Sequence, residues 1–384
     1  MKRLGIGIVV IGWLAGCGSG SGSTPDATVF NNMDAALDGP SGELVVTTVA
    51  GTGEPSFGDG DGTTAKLNGP MGIAASGNRV FVADEMNHRI RMLECAGTAC
   101  TITTIAGTGT AGFMNGDGAT AQFNHPVDVA VNPAGELLVV DYSNERIRKV
   151  SCTGTPSPAT CTVTTFAGSG NAGSDNGEAS VARFSGPSGL AVSADNITYV
   201  ADTNNSTIRR ITCSGTCMVD TFAGSGSLGF MDGPAATAKF SAPVDVAVDA
   251  SGTVYVAEWL NMRVRAIAGG MVSTFAGTGA EDYIDGPPAN AAFAHPRAIA
   301  FDAGNRLWVS DQGNHRVRMV TTTEASTVAG SGMTGPPMFG GGGFADGPAL
   351  SAMFMSPRGI TVDGNGKIYI SDTDNNRIRL LSYQ

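Results

Sequence analysis

The sequence predicts an all-β fold, a six-bladed β-propeller built from four-stranded antiparallel blades, on three observations. After about residue 42 one pattern recurs six times: Phe or Leu, two residues, Pro, an apolar stretch, a Gly turn, an apolar run ending in an acid, an Asn and an Arg-rich run. The prolines Pro70, Pro126, Pro187, Pro243, Pro296 and Pro357 are 56, 61, 56, 53 and 61 residues apart, a period that holds about four strands. The composition agrees, since 55 Gly, 15% charged and 42% hydrophobic residues among 384 describe a turn-rich globular chain and not a disordered one.

Within each unit the run at 80–84, 138–141, 199–202, 255–258, 307–311 or 369–372 is apolar and rich in β-branched or aromatic residues, as suits a strand buried on both faces. Each run ends in Asp, or in Glu258, and an Asn follows at a fixed offset: Asn87, Asn144, Asn205, Asn261, Asn314 and Asn375. Two residues later stand Arg89, Arg146, Arg263, Arg316 and Arg377, with Thr207 in the third unit. Recurrence in all six units points to loop fastening, with Asp and Asn bonding turn backbone and Arg pairing locally. The last unit has no room for a fourth strand, while 44–51 repeats the fourth-strand pattern of 102–107 and 219–224. The N-terminal strand is therefore expected to complete the last blade and close the ring.

These units, written "PMGIAAS…VFVADEMNHRIR" in the first and "PRGITVD…IYISDTDNNRIR" in the last, resemble the NHL repeat family. The resemblance spans 43–384 and implies four-stranded blades around a central channel. It supplies no reaction.

The N-terminus carries Lys2 and Arg3, then an apolar run over 4–13 too short to span a bilayer, which is an export signal. It ends in Leu14-Ala15-Gly16-Cys17, which resembles the bacterial lipoprotein lipobox and implies removal of 1–16 and acylation of Cys17. By the same resemblance Gly18 after Cys17 implies the outer membrane, with 17–42 as a Gly/Ser-rich tether. The other six cysteines form close pairs, Cys95 with Cys100, Cys152 with Cys161 and Cys213 with Cys217, and in an exported protein these are expected as disulfides. A net charge of -11 and a pI near 4.8 argue against nucleic acid as a partner. No cofactor is implied, and the chain is expected to be monomeric.

Functional candidates are sought where the units differ. Two places after the prolines stand Gly72, Asp128, Gly189, Asp245, Ala298 and Gly359; one place after them are Arg297 and Arg358, and one place before are His125 and His295. His125, Asp128, Asp245, His295, Arg297 and Arg358 are expected to line one channel mouth, with Tyr142 and Trp259 beside it as aromatics suited to peptide or glycan. The competing expectation is that Asp pairs with Arg and seals the entrance. His88 and His315 are expected to face solvent. Acidic turns at Asp59, Asp117, Asp232, Asp285 and Asp346 lack the ligand spacing of an EF-hand loop and read as turn chemistry.

The functional expectation is a membrane-anchored, non-enzymatic scaffold that binds protein, peptide or glycan. The alternative is a lyase or lactonase-type hydrolase with a channel metal held by His125, His295, Asp128 and Asp245, as the resemblance to other six-bladed propellers implies. No nucleophile turn, metalloprotease helix, phosphate loop or dinucleotide fingerprint is present.

Overall fold

The computed structural model describes residues 42–97, 99–332 and 342–384. The signal sequence, Cys17 and the tether up to residue 41 lie outside the described residues. Six antiparallel sheets form the blades of a propeller, with inner strands Pro70–Ser76, Pro126–Val131, Pro187–Val192, Pro243–Val248, Pro296–Phe301 and Pro357–Val362 around the central channel. Blade 2 shows the plan: Pro126–Val131, Leu137–Asp141, Arg146–Cys152 and Cys161–Ala167 pair in sequence order from the axis outward. Its second strand is buried at every residue, which is why its sequence is continuously apolar and not alternating.

Five blades carry one strand more than the four expected. A two-residue piece of the connector that precedes each inner strand, such as Gly116–Asp117, pairs onto the outer edge of the blade it leads into. Gly116 enters this pairing at a φ of 138°, a backbone conformation that suits glycine, and Gly60, Gly177, Gly233 and Gly347 do the same, so the glycine after the connector's Asp or Asn is what the added strand requires. In blade 5 the same feature is a single bridge from Gly286 to Ala325.

The ring closes as expected. Leu44–Ala50 pairs with Arg377–Tyr383, from Leu44 opposite Tyr383 to Ala50 opposite Ile378, and serves as the fourth strand of blade 6. Three residues before each proline, Leu67, Phe123, Phe184, Phe240, Phe293 and Phe354 are fully buried. Phe123 shows what they pack against, joining Ala83 and Ile90 of blade 1 to Val129 and Val139 of blade 2 in one core cluster. Each such side chain contributes about 2 kcal/mol by burial.

Strand direction puts the proline loops and connectors on one face, here the proline face, and the hairpins joining third to outer strands on the other. The three expected disulfides staple those hairpins in blades 1, 2 and 3, where Cys95 faces Cys100, Cys152 faces Cys161 and Cys213 faces Cys217 across the ladder.

Candidate functional site

The recurring acid, Asn and Arg form one buried clasp per blade. Asp84, Asp141, Asp202, Glu258, Asp311 and Asp372 pair at 2.5–2.9 Å with Arg91, Arg148, Arg209, Arg265, Arg318 and Arg379, and both partners are fully buried in all six. These are not the arginines the spacing singled out, but those two residues further along the third strand. Each carboxylate also accepts the backbone N–H two residues before the proline, as from Asn124 to Asp141 at 2.7 Å, and the Asn side chain at 2.7–2.9 Å. The arginine Nη groups reach onward to connector carbonyls and to a second polar side chain, Asn115 and Asn176 in blades 2 and 3 and Asp59, Asp232, Asp285 and Asp346 in the others. Four of the acidic turns are thus ion-paired to arginine, and a buried charge so paired and bonded is compensated.

The first arginine of each set has another task. Arg146 donates to the carbonyls of Asn144 and Ser169 and lies over the Phe113 ring, 3.9 Å from its centroid. Arg89, Arg263, Arg316 and Arg377 lie likewise over Phe57, Phe230, Tyr283 and Phe344. Blade 3 has neither partner, since Thr207 stands for the arginine and Ser174 for the aromatic.

Several candidate residues are absorbed by contacts between neighbouring blades. The residue before each proline is left-handed, including His125 at φ 54° and His295 at φ 53°, which turns its N–H toward the preceding blade. His88 Nδ1 accepts the N–H of His125 at 3.2 Å, and His315 Nδ1 accepts that of Ser356 at 3.0 Å. Glu145 and Asn376 take the same position and accept from Gly186 and Gly69. His88 and His315 are therefore half-buried fasteners and not solvent-facing groups, and burial lowers both imidazoles from the usual value. The His125 ring contacts Glu85 Oε1 at 3.3 Å and meets His88 edge-on. The His295 ring is buried against Trp259, with centroids 4.4 Å apart, and its Nδ1 lies 3.0 Å from the Trp259 carbonyl. Trp259 thus helps pack blade 4 on blade 5, while Tyr142 is 38% exposed.

The channel itself is narrowed by Met71, Val127, Asp128, Val244, Asp245, Arg297 and Arg358 around a void of about 20 Å³, space for roughly one water-sized group. Toward the hairpin face it widens to about 220 Å³ between small side chains such as Ala75, Ala130, Ala191, Ala247 and Ala300. His125 and His295 line neither part.

Asp128 and Asp245 do not ion-pair with the arginines. Asp128 Oδ2 accepts the N–H of Leu190 in the next blade at 2.8 Å, and Asp245 Oδ2 accepts that of Ile299 at 2.8 Å, while Asp245 Oδ1 takes Val246 N–H at 2.8 Å. The carboxylates lie against Gly72 and Gly189 of the preceding blades, where an added Cβ would come within 1.9 Å of Asp128 Oδ1 and 2.5 Å of Asp245 Oδ1. The Gly-Asp alternation of the sequence is thus steric. Burial pushes Asp128 up to about 7, and burial together with Asp128 raises Asp245 well above the carboxylate range.

Arg297 and Arg358 remain. Among the described residues nothing accepts a hydrogen bond from the Arg297 guanidinium, and Arg358 donates only to the Met71 thioether at 3.0 Å. Burial and the neighbouring Arg358 lower Arg297 to about 10. Among the described residues no three or more His, Cys, Asp or Glu side chains are grouped to hold a metal, so His125, His295, Asp128 and Asp245 do not form a metal ligand set.

Comparison with known proteins agrees with this architecture. The NHL repeat profile matches residues 123–150, 293–318 and 354–379, which lie in blades 2, 5 and 6 of the propeller. It is 27% identical over 88% of its length to SUPPRESSOR OF QUENCHING 1, chloroplastic, of Arabidopsis thaliana, and 26% identical over 86% to NHL repeat-containing protein 2 of Bos taurus. The chain spans 27% and 42% of those longer proteins. An auxiliary nutrient binding protein from Bacteroides ovatus shares the fold at a TM-score of 0.65 and 14% identity, over 90% of this chain and 78% of that one.

Proposed function

We propose that the propeller is a non-catalytic binding module that takes a protein, peptide or glycan ligand on its proline face, over the channel mouth. One observation carries this reading. Of the eight candidate residues, five are occupied in fastening blade to blade, and Tyr142, Arg297 and Arg358 are left with polar or aromatic groups that the fold does not use. Scaffold needs do not explain two guanidiniums beside each other in a constriction, because they repel. A nutrient-binding protein of the same fold agrees with a binding role.

The lipobox resemblance adds that the module is displayed from Cys17 at the outer membrane of a bacterial envelope. Peptide and glycan arrays probed with the wild type and Tyr142→Ala test the binding surface. Retained ligands whose signal falls in the variant support the proline face, and a ligand set indifferent to Tyr142, Arg297 and Arg358 alike contradicts it. Labelling with a radioactive fatty acid, expected in the wild type and lost in Cys17→Ser, tests the anchor.

A further inference from the structure

We infer that Arg297 and Arg358 form a carboxylate-binding pair at the channel constriction, which captures the terminal or pendant carboxylate of a ligand lying across the proline face. The inference rests on the binding reading above and names the chemistry of its anchor.

The first support is how differently arginine is treated elsewhere in the molecule. The six clasp guanidiniums direct their Nη groups to a carboxylate and to carbonyl oxygens. The five at the start of the third strands each donate to two carbonyls, as Arg377 does to Asn375 and Thr52. Arg358 has a sulfur and an Nε that is buried without a partner, and Arg297 has no hydrogen-bond partner among the described residues. An unpartnered Nε also occurs in Arg91, Arg148, Arg209 and Arg318, so the idle Nη groups are the distinguishing feature.

A second support is placement. The two arginines stand one residue after the prolines of adjacent blades, where the other four blades have Met71, Val127, Ser188 and Val244. Both line the same void, whose size admits a carboxylate oxygen and not a whole sugar or side chain. The ligand body must therefore lie outside the constriction, and in this proposal it lies on the proline face, whose loops carry Glu85 and Tyr142. Mutual repulsion of the two guanidiniums is relieved by an anion between them, the arrangement that planar bidentate donors suit.

The third support is the state of the nearby acids. Asp128 and Asp245 accept backbone N–H groups of the inner strands, and their raised values reduce the negative charge they set against an incoming anion. Glu85, the remaining acid acting on Arg297, is engaged with His125 at the rim.

The test is titration of the full chain at low salt with four probes: the peptide Gly-Gly-Phe, its C-terminal amide, galacturonate and galactose. The acids are expected to bind at least about tenfold more tightly than their neutral counterparts, to weaken with added salt, and to lose about tenfold or more in Arg297→Gln and Arg358→Gln, with partial recovery in Arg358→Lys. Whichever acid binds more tightly identifies a peptide terminus or a sugar acid as the source. Equal binding of acid and neutral forms, no binding of either acid, or acid binding unchanged in both variants overturns the inference. Because a variant can misfold, arginine side-chain resonances of the wild type are followed as well, and galacturonate or Gly-Gly-Phe that binds without shifting any arginine Nε–H signal overturns it equally. Neutral probes that bind in a Tyr142-dependent way preserve the broader binding reading while this one falls.

Discussion

The ring of clasps and the channel constriction are built from the same residue types and treat them in opposite ways. In blade 3, Arg209 and Asp202 are fully buried 2.8 Å apart, and every Nη group has an acceptor. In the constriction, Arg297 and Arg358 share a void with Asp128 and Asp245, yet no ion pair joins the two sets. The difference teaches that recurrence marks scaffold and that departure from it has to be read residue by residue. His125, His295 and Trp259 depart from the repeat and still serve packing, as do the disulfides that only blades 1 to 3 carry.

The comparison breaks most visibly at a clasp. Asp202→Ala leaves Arg209 buried without its counter-charge and frees the N–H of Ser185, so urea unfolding is expected to show a loss of about 3–5 kcal/mol. A loss below about 1 kcal/mol means that the clasps are not what holds the blades.

Next in size come the stapled hairpins. Reducing the disulfides opens only short loops and is expected to lower stability by about 2 kcal/mol for any one bridge, less than the loss of a clasp, with hydrogen exchange rising at the hairpins of blades 1 to 3 and not in blades 4 to 6. Equal exchange increases in both halves contradict a local role.

A third effect sharpens the role of the channel acids. Asp128 has a folded value of about 7, above its unfolded value of about 4, so it holds more protons folded than unfolded between those limits. Its contribution is fully present below about pH 4 and is lost as pH rises through about 7. Asp128→Asn, which keeps an acceptor for Leu190, is expected to gain stability relative to wild type on going from pH 5 to pH 8 by urea unfolding at each pH, as follows from that linkage. A difference independent of pH shows that Asp128 is charged throughout. Asp245, Arg297, Arg358 and Glu85 share this environment and remain in both proteins.

The fold was legible because its signals are local and repeated. Proline spacing, buried second strands and the displaced fourth strand 44–51 each follow from periodicity, and the cysteine pairs from proximity. The clasp arginine was missed at Arg91, Arg148 and their equivalents, since a residue two places beyond a conspicuous Asn-x-Arg looks like ordinary strand sequence. The unbroken recurrence of that second arginine in all six units, including the third where Thr207 replaces the first, was the available signal. The site was half legible. Departure from the repeat located the constriction, but whether His125 turns toward the channel or the next blade depends on a left-handed backbone that only the three-dimensional turn reveals. The fifth strands escaped notice because two residues carry no period.

The central claim is that residues outside the repeat at Arg297 and Arg358 serve binding and not stability. It is tested most directly by the unfolding free energy of the Arg297→Gln/Arg358→Gln double variant without ligand. The account predicts a value within about 0.5 kcal/mol of wild type or slightly above it, since two repelling charges leave. A loss of several kcal/mol, like that expected for Asp202→Ala, would place both arginines in the scaffold and contradict it.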